Sequence, residues 1–446
     1  MRFSTLIMAA LVVSISSFAF AELQNVEVGG NIRIRGNWYD FDRASDTSFI
    51  EQRTRLSVKA DFTQDVSAFI ELDYYNFWGE DFRSLYLTGA DFRGSGGNDV
   101  DLYQGYIEAK DMWGTPLSMR VGRQELALGN QLLVGTNDVS SLYRGLSFDA
   151  LRLTFANDVV SVDAIAAKLV ETLGDFGDDD VDLYAVYASY LGIEDVVLDA
   201  YWMFIRDDQG VIGGLINGTD IDIHTLGLRG AGVIGAFDFE LEAAYQWGDV
   251  DDVPNPWFRI FKRRADVDYD EFMVNAELGY TFDMAWTPRL FAKFAYIGGG
   301  DPNTRCWNNN ADLPFNRLFS NVRYSEFLDI DQNMSNVLLY ALGVQVMPTE
   351  ALELKLIGTY LHVDERARDR GWWFWRSRAS RGLGWELGLY ADYHYTEDLV
   401  FRLGYAHFFG SKGLERNTGD MNGLARWAGD RRDDYNYLFI ESEIKF

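Results

Sequence analysis

The stretch DYNYLFIESEIKF, residues 434–446, decides the fold. Leu438, Ile440, Ile444 and Phe446 fall on one side of an extended chain; Tyr437, Glu441, Glu443 and Lys445 fall on the other. A β-strand sends successive side chains to opposite faces, so one face here is greasy and the other charged. The same period-two pattern recurs along the chain in segments of about ten residues, the length a tilted strand needs to cross a bilayer. No packed soluble core accepts the charged face. The sequence therefore predicts an all-β chain: one transmembrane antiparallel β-barrel with a wet interior, enclosing a pore.

The amino terminus gives the address. Arg2 supplies a positive start, Leu6 to Phe18 an apolar run, and Ala19-Phe20-Ala21 the small residues of a cleavage site. Residues 1–21 read as a signal peptide and 22–446 as a single outer-membrane β-barrel channel domain. No later segment approaches the roughly 18 consecutive apolar residues of a spanning helix. The expected location is the bacterial outer membrane, with outer-membrane lipid, lipopolysaccharide and the outer-membrane assembly machinery as partners.

Composition agrees. The chain has 42 Gly and only 7 Pro, and 15% of its residues are aromatic, a barrel's profile. The net charge is −28, and removal of Arg2 with the signal makes it −29, which disfavours nucleic acid as a partner. Cys306 is the single cysteine, so no disulfide framework exists within one chain. A soluble β-sandwich or repeat array would bury both alternating faces or show a fixed sequence period, and neither is present.

Short polar turns are expected at 63–65, 113–116, 157–158, 192–195, 232–235, 283–287, 348–350 and 396–398. They join strands in pairs, and a first strand near 26–38 with the terminal strand brings the total to 18. The other connections are long: near 40–48, 78–99, 127–146, 170–181, 205–219, 248–268, 298–333, 362–383 and 410–433. Short periplasmic turns and long extracellular loops are the asymmetry of an outer-membrane barrel.

Charges on the lipid face cost roughly 2–4 kcal/mol near the midplane, so charged positions in alternating strands are assigned to the lumen. Arg33, Arg35, Arg53, Arg55 and Lys59 form a basic group on the first two strands. Alternation adds Lys110, Arg120, Arg152, Arg289, Lys293, Lys355 and Arg402. Strands near 237–247 and 272–280 instead contribute Asp238, Glu240, Glu242, Glu271 and Glu277. The expectation is a transverse field, with a basic track that guides anionic groups, because guanidinium forks bond both oxygens of a carboxylate. The competing reading pairs these residues with neighbours such as Glu51, Glu71, Asp73 and Glu108, merely stiffening the wall. Trp38, Tyr74, Trp247, Tyr280, Tyr296, Trp385 and Tyr405 suit interfacial girdles.

Among the loops, the aspartates of 175–182 read as a solvated acidic run rather than a calcium site. Residues 369–381 mix Trp372, Trp373, Phe374 and Trp375 with arginines, as a sugar-acid clamp or a loop anchor. The longest loop, 298–333, is a candidate constriction. No metal site, cofactor, phosphate loop or nucleophile motif stands out among residues that include four histidines, so no enzyme is expected.

One stretch carries a family resemblance. Gly122-Arg123-Gln124, followed by Gly129, Leu132, Val134 and Gly135, resembles the "GRQ…G…L.G" stretch of the alginate-export family of outer-membrane porins. Arg144 and Ser147-Phe148-Asp149-Ala150-Leu151-Arg152-Leu153 resemble its "R..SFDG.RL" strand, with Ala150 where Gly is usual. The resemblance implies an 18-strand barrel whose arginine-lined pore passes an anionic polysaccharide. Arg123 and Arg152 are its direct matches. Alternation from Met119 turns Arg123 toward lipid, unless a bulge intervenes or the residue lies beyond the membrane. The expected function is passive transport of anionic solutes, sugar acids or anionic polysaccharide. A weakly selective diffusion porin, or a plugged barrel with a structural or adhesive role, are the alternatives.

Overall fold

The computed structural model describes residues 23–41, 46–79, 100–138, 144–171, 180–209, 220–254, 264–300, 310–330, 332–366, 380–414 and 434–446. The expected signal peptide, the aromatic stretch 372–375 and most of the aspartate run 175–182 lie outside them.

Alternating residues build long strands, in chain order β1 (Asn25–Phe41), β2 (Thr47–Asp61), β3 (Val66–Phe77), β4 (Asp101–Ala109), β5 (Leu117–Gln124) and β6 (Phe148–Ala156). Then come β7 (Val160–Val170), β8 (Val181–Ile193), β9 (Val196–Asp207), β10 (Ile221–Ile234), β11 (Phe237–Pro254), β12 (Arg264–Thr281) and β13 (Arg289–Ile297). The chain finishes with β14 (Asn310–Leu313), β15 (Val337–Thr349), β16 (Leu352–Val363), β17 (Gly382–His394), β18 (Leu399–Gly410) and β19 (Tyr435–Lys445). Consecutive strands pair antiparallel, β13 pairs directly with β15, and β1 pairs with both β2 and β19. The result is a closed barrel of 18 strands, which leaves no open sheet edge in the membrane.

The remaining strand, β14, is an addition to the ring. It runs parallel to Asp266–Tyr269 of β12, whose pairing with β13 ends at Met273. The nine residues of β13 cannot cover the eighteen of β12, so a loop strand takes the exposed ladder. The sequence pattern predicts a loop near 248–268. Strands β11 and β12 instead continue to Pro254 and from Arg264, because above the bilayer both faces of a strand tolerate polar groups and alternation loses its signal.

The outer surface is apolar: Val28, Leu228, Phe237, Leu278, Leu342 and Phe446 are each more than half exposed. The inner surface differs from the uniformly wet lumen expected. Toward the long-loop end it turns apolar, with Ile165, Leu183, Met203, Ile205, Ile221, Ile223, Ile297, Leu339, Leu361 and Phe408 buried. Two inward loops, residues 125–138 and 314–336, complete this core with Leu126, Leu132, Val134, Phe315, Leu328 and Met334. The interior is thus a packed apolar layer above a charged one.

Candidate functional site: the barrel interior

The two loops meet each other across the lumen. Val134 and Phe319 form a parallel bridge: Gly135 N donates to Phe319 O at 2.9 Å and Phe319 N to Leu133 O at 2.8 Å. Asn321 ties the rest together. Its backbone N donates to Gln131 O, and its side-chain amide donates to Gln131 Oε1 at 2.8 Å and to Thr136 Oγ1 at 3.2 Å. Its Oδ1 accepts the backbone N–H of Asp138 at 2.7 Å.

The longer loop is fastened to the wall at several strands. Gln246 of β11 exchanges two 2.7 Å hydrogen bonds with the backbone of Asn316, imitating a strand partner. Tyr324 donates to Asn275 of β12, and Glu386 of β17 accepts from Ser325 Oγ at 2.6 Å and from Glu326 N. Phe327 packs among Tyr39, Phe408, Tyr435 and Tyr437. Within the loop, Arg317 and Asp329 form an ion pair with no exposed side-chain surface. Asp329 also accepts the backbone N–H groups of Tyr324 and Met334, so one carboxylate organises the whole bend. The sequence predicts 298–333 as a candidate constriction; beyond β14, which pairs with β12, the described residues from Phe315 to Leu328 fold inward. Of the stretch 127–146, expected outside, residues 127–138 enter as well, and the apolar run Leu126, Leu128, Leu132, Leu133 and Val134 explains why.

Below the loops lie the charged residues. Arg33, Arg35, Arg53 and Arg55 all point inward and are buried. Glu441 of β19 accepts from Arg33 Nε at 2.8 Å, Arg35 Nε at 2.6 Å and Arg402 Nη1 at 2.6 Å. Arg402 also donates to Glu443 at 2.8 Å. Arg33 Nη1 donates to the backbone O of Asp138 at 2.7 Å, and Arg53 Nη1 bonds the Asp138 carboxylate. Arg55 reaches Glu125 at 3.2 Å and Asp73 at 3.5 Å, and its guanidinium lies 3.7 Å over the Tyr103 ring. Burial holds the Glu125 carboxyl above the usual range, against the pull of Tyr103 and Arg55. The basic group therefore has acids close by, beyond the neighbours that alternation supplies. Glu441, Asp138 and Glu125 arrive from distant chain positions that local alternation cannot associate with β1 and β2.

Most of the remaining inward cations among the described residues are ion-paired too. Lys59 meets Asp61 at 3.1 Å, and Arg120 and Lys110 share Glu108. Arg152 forks onto both oxygens of Asp163 at 2.8 Å. Arg289 binds Asp238 and Glu277, and Lys293 binds Glu277 at 2.6 Å. Lys355 lies 5.2 Å over the Tyr390 ring. The acids of β11 and β12 therefore sit among cations from β10 and β13: Arg229 bonds Asp199 and Glu240. Two separated walls of opposite sign are replaced by local pairs. Glu242 accepts from Tyr201 at 2.7 Å, and Glu271 accepts the backbone N–H of Gly300 at 2.9 Å.

The motif residues do a different job. Strand β5 keeps an unbroken register with β6, so Arg123 faces outward and forks onto Asp149, its direct cross-strand partner, at 2.8 and 2.9 Å. It does not line the interior, unlike Arg152. Gly122 has φ +127°, and a Cβ there would lie 2.3 Å from Gly105 O, so the position admits only glycine without rearrangement. Gln124 is fully buried and donates to Ala150 O at 2.9 Å. Phe148 packs edge-on against Phe319 and so anchors the inward loop.

The family model described as "Alginate export" matches residues 24–423. The chain belongs to the alginate export family. Solved barrels share its fold. Pseudomonas aeruginosa OccK11 (OpdR) is 12% identical with a TM-score of 0.56, over 95% of this chain and 97% of that one. P. aeruginosa OccK8 (OprE) is 14% identical with a TM-score of 0.54, over 94% and 98%. Acinetobacter baumannii OccAB4 is 12% identical with a TM-score of 0.54, over 96% and 100%. No curated protein matches the chain. The alginate export membership, the closed barrel and its apolar outer surface make this a channel-type protein of the bacterial outer membrane.

Proposed function

We propose that this alginate export family member is a passive channel for anionic solutes, carrying carboxylated sugars or an anionic polysaccharide. One observation carries the reading. Arg33 and Arg53, adjacent on β1 and β2, both donate to a carboxylate that enters from a loop, that of Asp138. A site that holds one carboxylate presented from the lumen has the charge and geometry to hold another.

The test is reversal potential of the refolded protein in a planar bilayer under a salt gradient, for wild type and for Arg33→Gln/Arg53→Gln. Anion preference that falls in the double variant supports the reading. Equal selectivity in the two proteins sinks it. The second reading is a weakly selective diffusion porin, favoured by the local neutralisation of Arg120, Arg152, Arg289 and Lys293.

A further inference from the structure

We infer that Asp138 is a tethered stand-in for the transported anion: its carboxylate occupies the Arg33–Arg53 site and must be displaced before solute passes. The inference rests on the proposed anion channel and deepens it, naming the group that holds the site shut.

Most inward ion pairs in this barrel are fixed by strand register. Arg120 stands directly across from Glu108, and Arg35 across from Glu441. Solute cannot take the place of such a carboxylate without disturbing the wall. Asp138 is different. It lies outside every strand, in the inward loop that follows β5, and its backbone is held by two side chains: Asn321 Oδ1 accepts its N–H and Arg33 Nη1 donates to its carbonyl, each at 2.7 Å. Its side chain keeps 29% of its surface exposed while that of Arg53 keeps 1%. The loop carboxylate therefore lies on the open side of the pair and covers the guanidinium.

The same segment carries the steric barrier, because Gly135 and Leu133 are bonded to Phe319 of the second loop. Displacing Asp138 removes the ionic end of a unit whose other end is the loop–loop bridge. A free carboxylate and Asp138 compete for the same hydrogen-bond donors, so the solute itself loosens what blocks it. Charge and opening are coupled through one site. A neutral sugar has no means of competing.

Competition makes a quantitative expectation. A short tether presents its group at an effective concentration of order millimolar, so free anion must reach that range to win. In proteoliposome swelling, Asp138→Asn should raise galacturonate entry and lower its half-saturating concentration by about tenfold, with galactose entry changed far less. Asn321→Ala leaves both arginines and Asp138 in place but removes the acceptor that holds the Asp138 N–H, and should shift galacturonate in the same direction. It decides alone if Asp138→Asn does not form a heat-modifiable barrel. Unchanged galacturonate kinetics in folded Asp138→Asn and Asn321→Ala overturn the inference, leaving the contact a structural staple. Equal acceleration of galactose also overturns it, because the loop is then only a steric plug. Failure of the anion reading itself shows separately, as wild-type protein without anion preference in the bilayer.

Discussion

Three guanidinium groups converge on the Glu441 carboxylate, and strand register explains why. Closure sets Glu441 opposite Arg35 on β1 and opposite Arg402 on β18, with Arg33 two residues along. The carboxylate is 1% exposed, so its charge is stabilised by these partners rather than by water. Removing one partner of a buried charge network costs on the order of 3–5 kcal/mol, since the others stay buried and uncompensated. Glu441→Gln should lower the barrel's stability by about 3 kcal/mol, read as a reduced urea midpoint in lipid vesicles. An unchanged midpoint would show that Arg33, Arg35 and Arg402 find other acids. This residue was half legible in the sequence. Alternation places it inward, yet no local pattern sets it beside the arginines of β1 or says how many share it. Asp138 was less legible still, since a loop residue carries no period. Arg123 shows alternation prevailing over motif analogy: it faces outward because β5 is not bulged.

Elements that alternate are legible in the sequence, and elements that do not alternate are not. Each of the eight short turns lies between paired strands close to its expected place, and each strand pair of the ring has its counterpart in the alternation. The inward loops were harder. Packing decided them: an apolar run such as Leu126 to Val134 in a supposed surface loop must be covered by something, and here the barrel wall covers it. Loop 314–336 holds its shape through Arg317 and Asp329, both fully buried. Asp329→Asn leaves that guanidinium without its ionic partner, at a local cost of about 3–5 kcal/mol. The wall pairs strand to strand without this loop, so the barrel should still fold while the loop becomes cleavable by protease and channel conductance rises. A variant as protease-resistant as wild type would mean that Gln246, Glu386 and Phe327 suffice to hold the loop.

At the scale of the whole barrel, register draws the water boundary on the outer surface. Arg123, Asp149, Lys168, Asp182, Arg206, Asp222, Asp249 and Asp268 are successive cross-strand neighbours from β5 to β12, and the even-odd pattern turns them outward. Because tilted strands make a line of direct neighbours climb toward the long-loop end from β5 to β12, it is the upper members of this charged belt, Asp222, Asp249 and Asp268, farthest from their short turns, that mark the extracellular headgroup level. Below it on β10 the outward positions become His224, Leu226 and Leu228, and His224 stacks between Phe204 at 4.4 Å and Trp247 at 5.2 Å, the aromatic girdle. Leu228 lies six residues below Asp222, ~20 Å along the strand at ~3.3 Å per residue. With a tilt of about 35–45°, that depth is roughly the middle of an apolar band about 25 Å tall. Leu228→Lys should therefore cost about 2–4 kcal/mol in urea titration of the vesicle-inserted protein. Asp249→Lys, in the belt and directly between Asp222 and Asp268, should cost nothing, because it replaces a like-charge contact by an attractive one. Equal penalties at the two positions would mean that the belt is not at the membrane surface and that the barrel sits at another height. That would also shift the arginine layer relative to the bilayer, since closure fixes every residue of the wall in one frame.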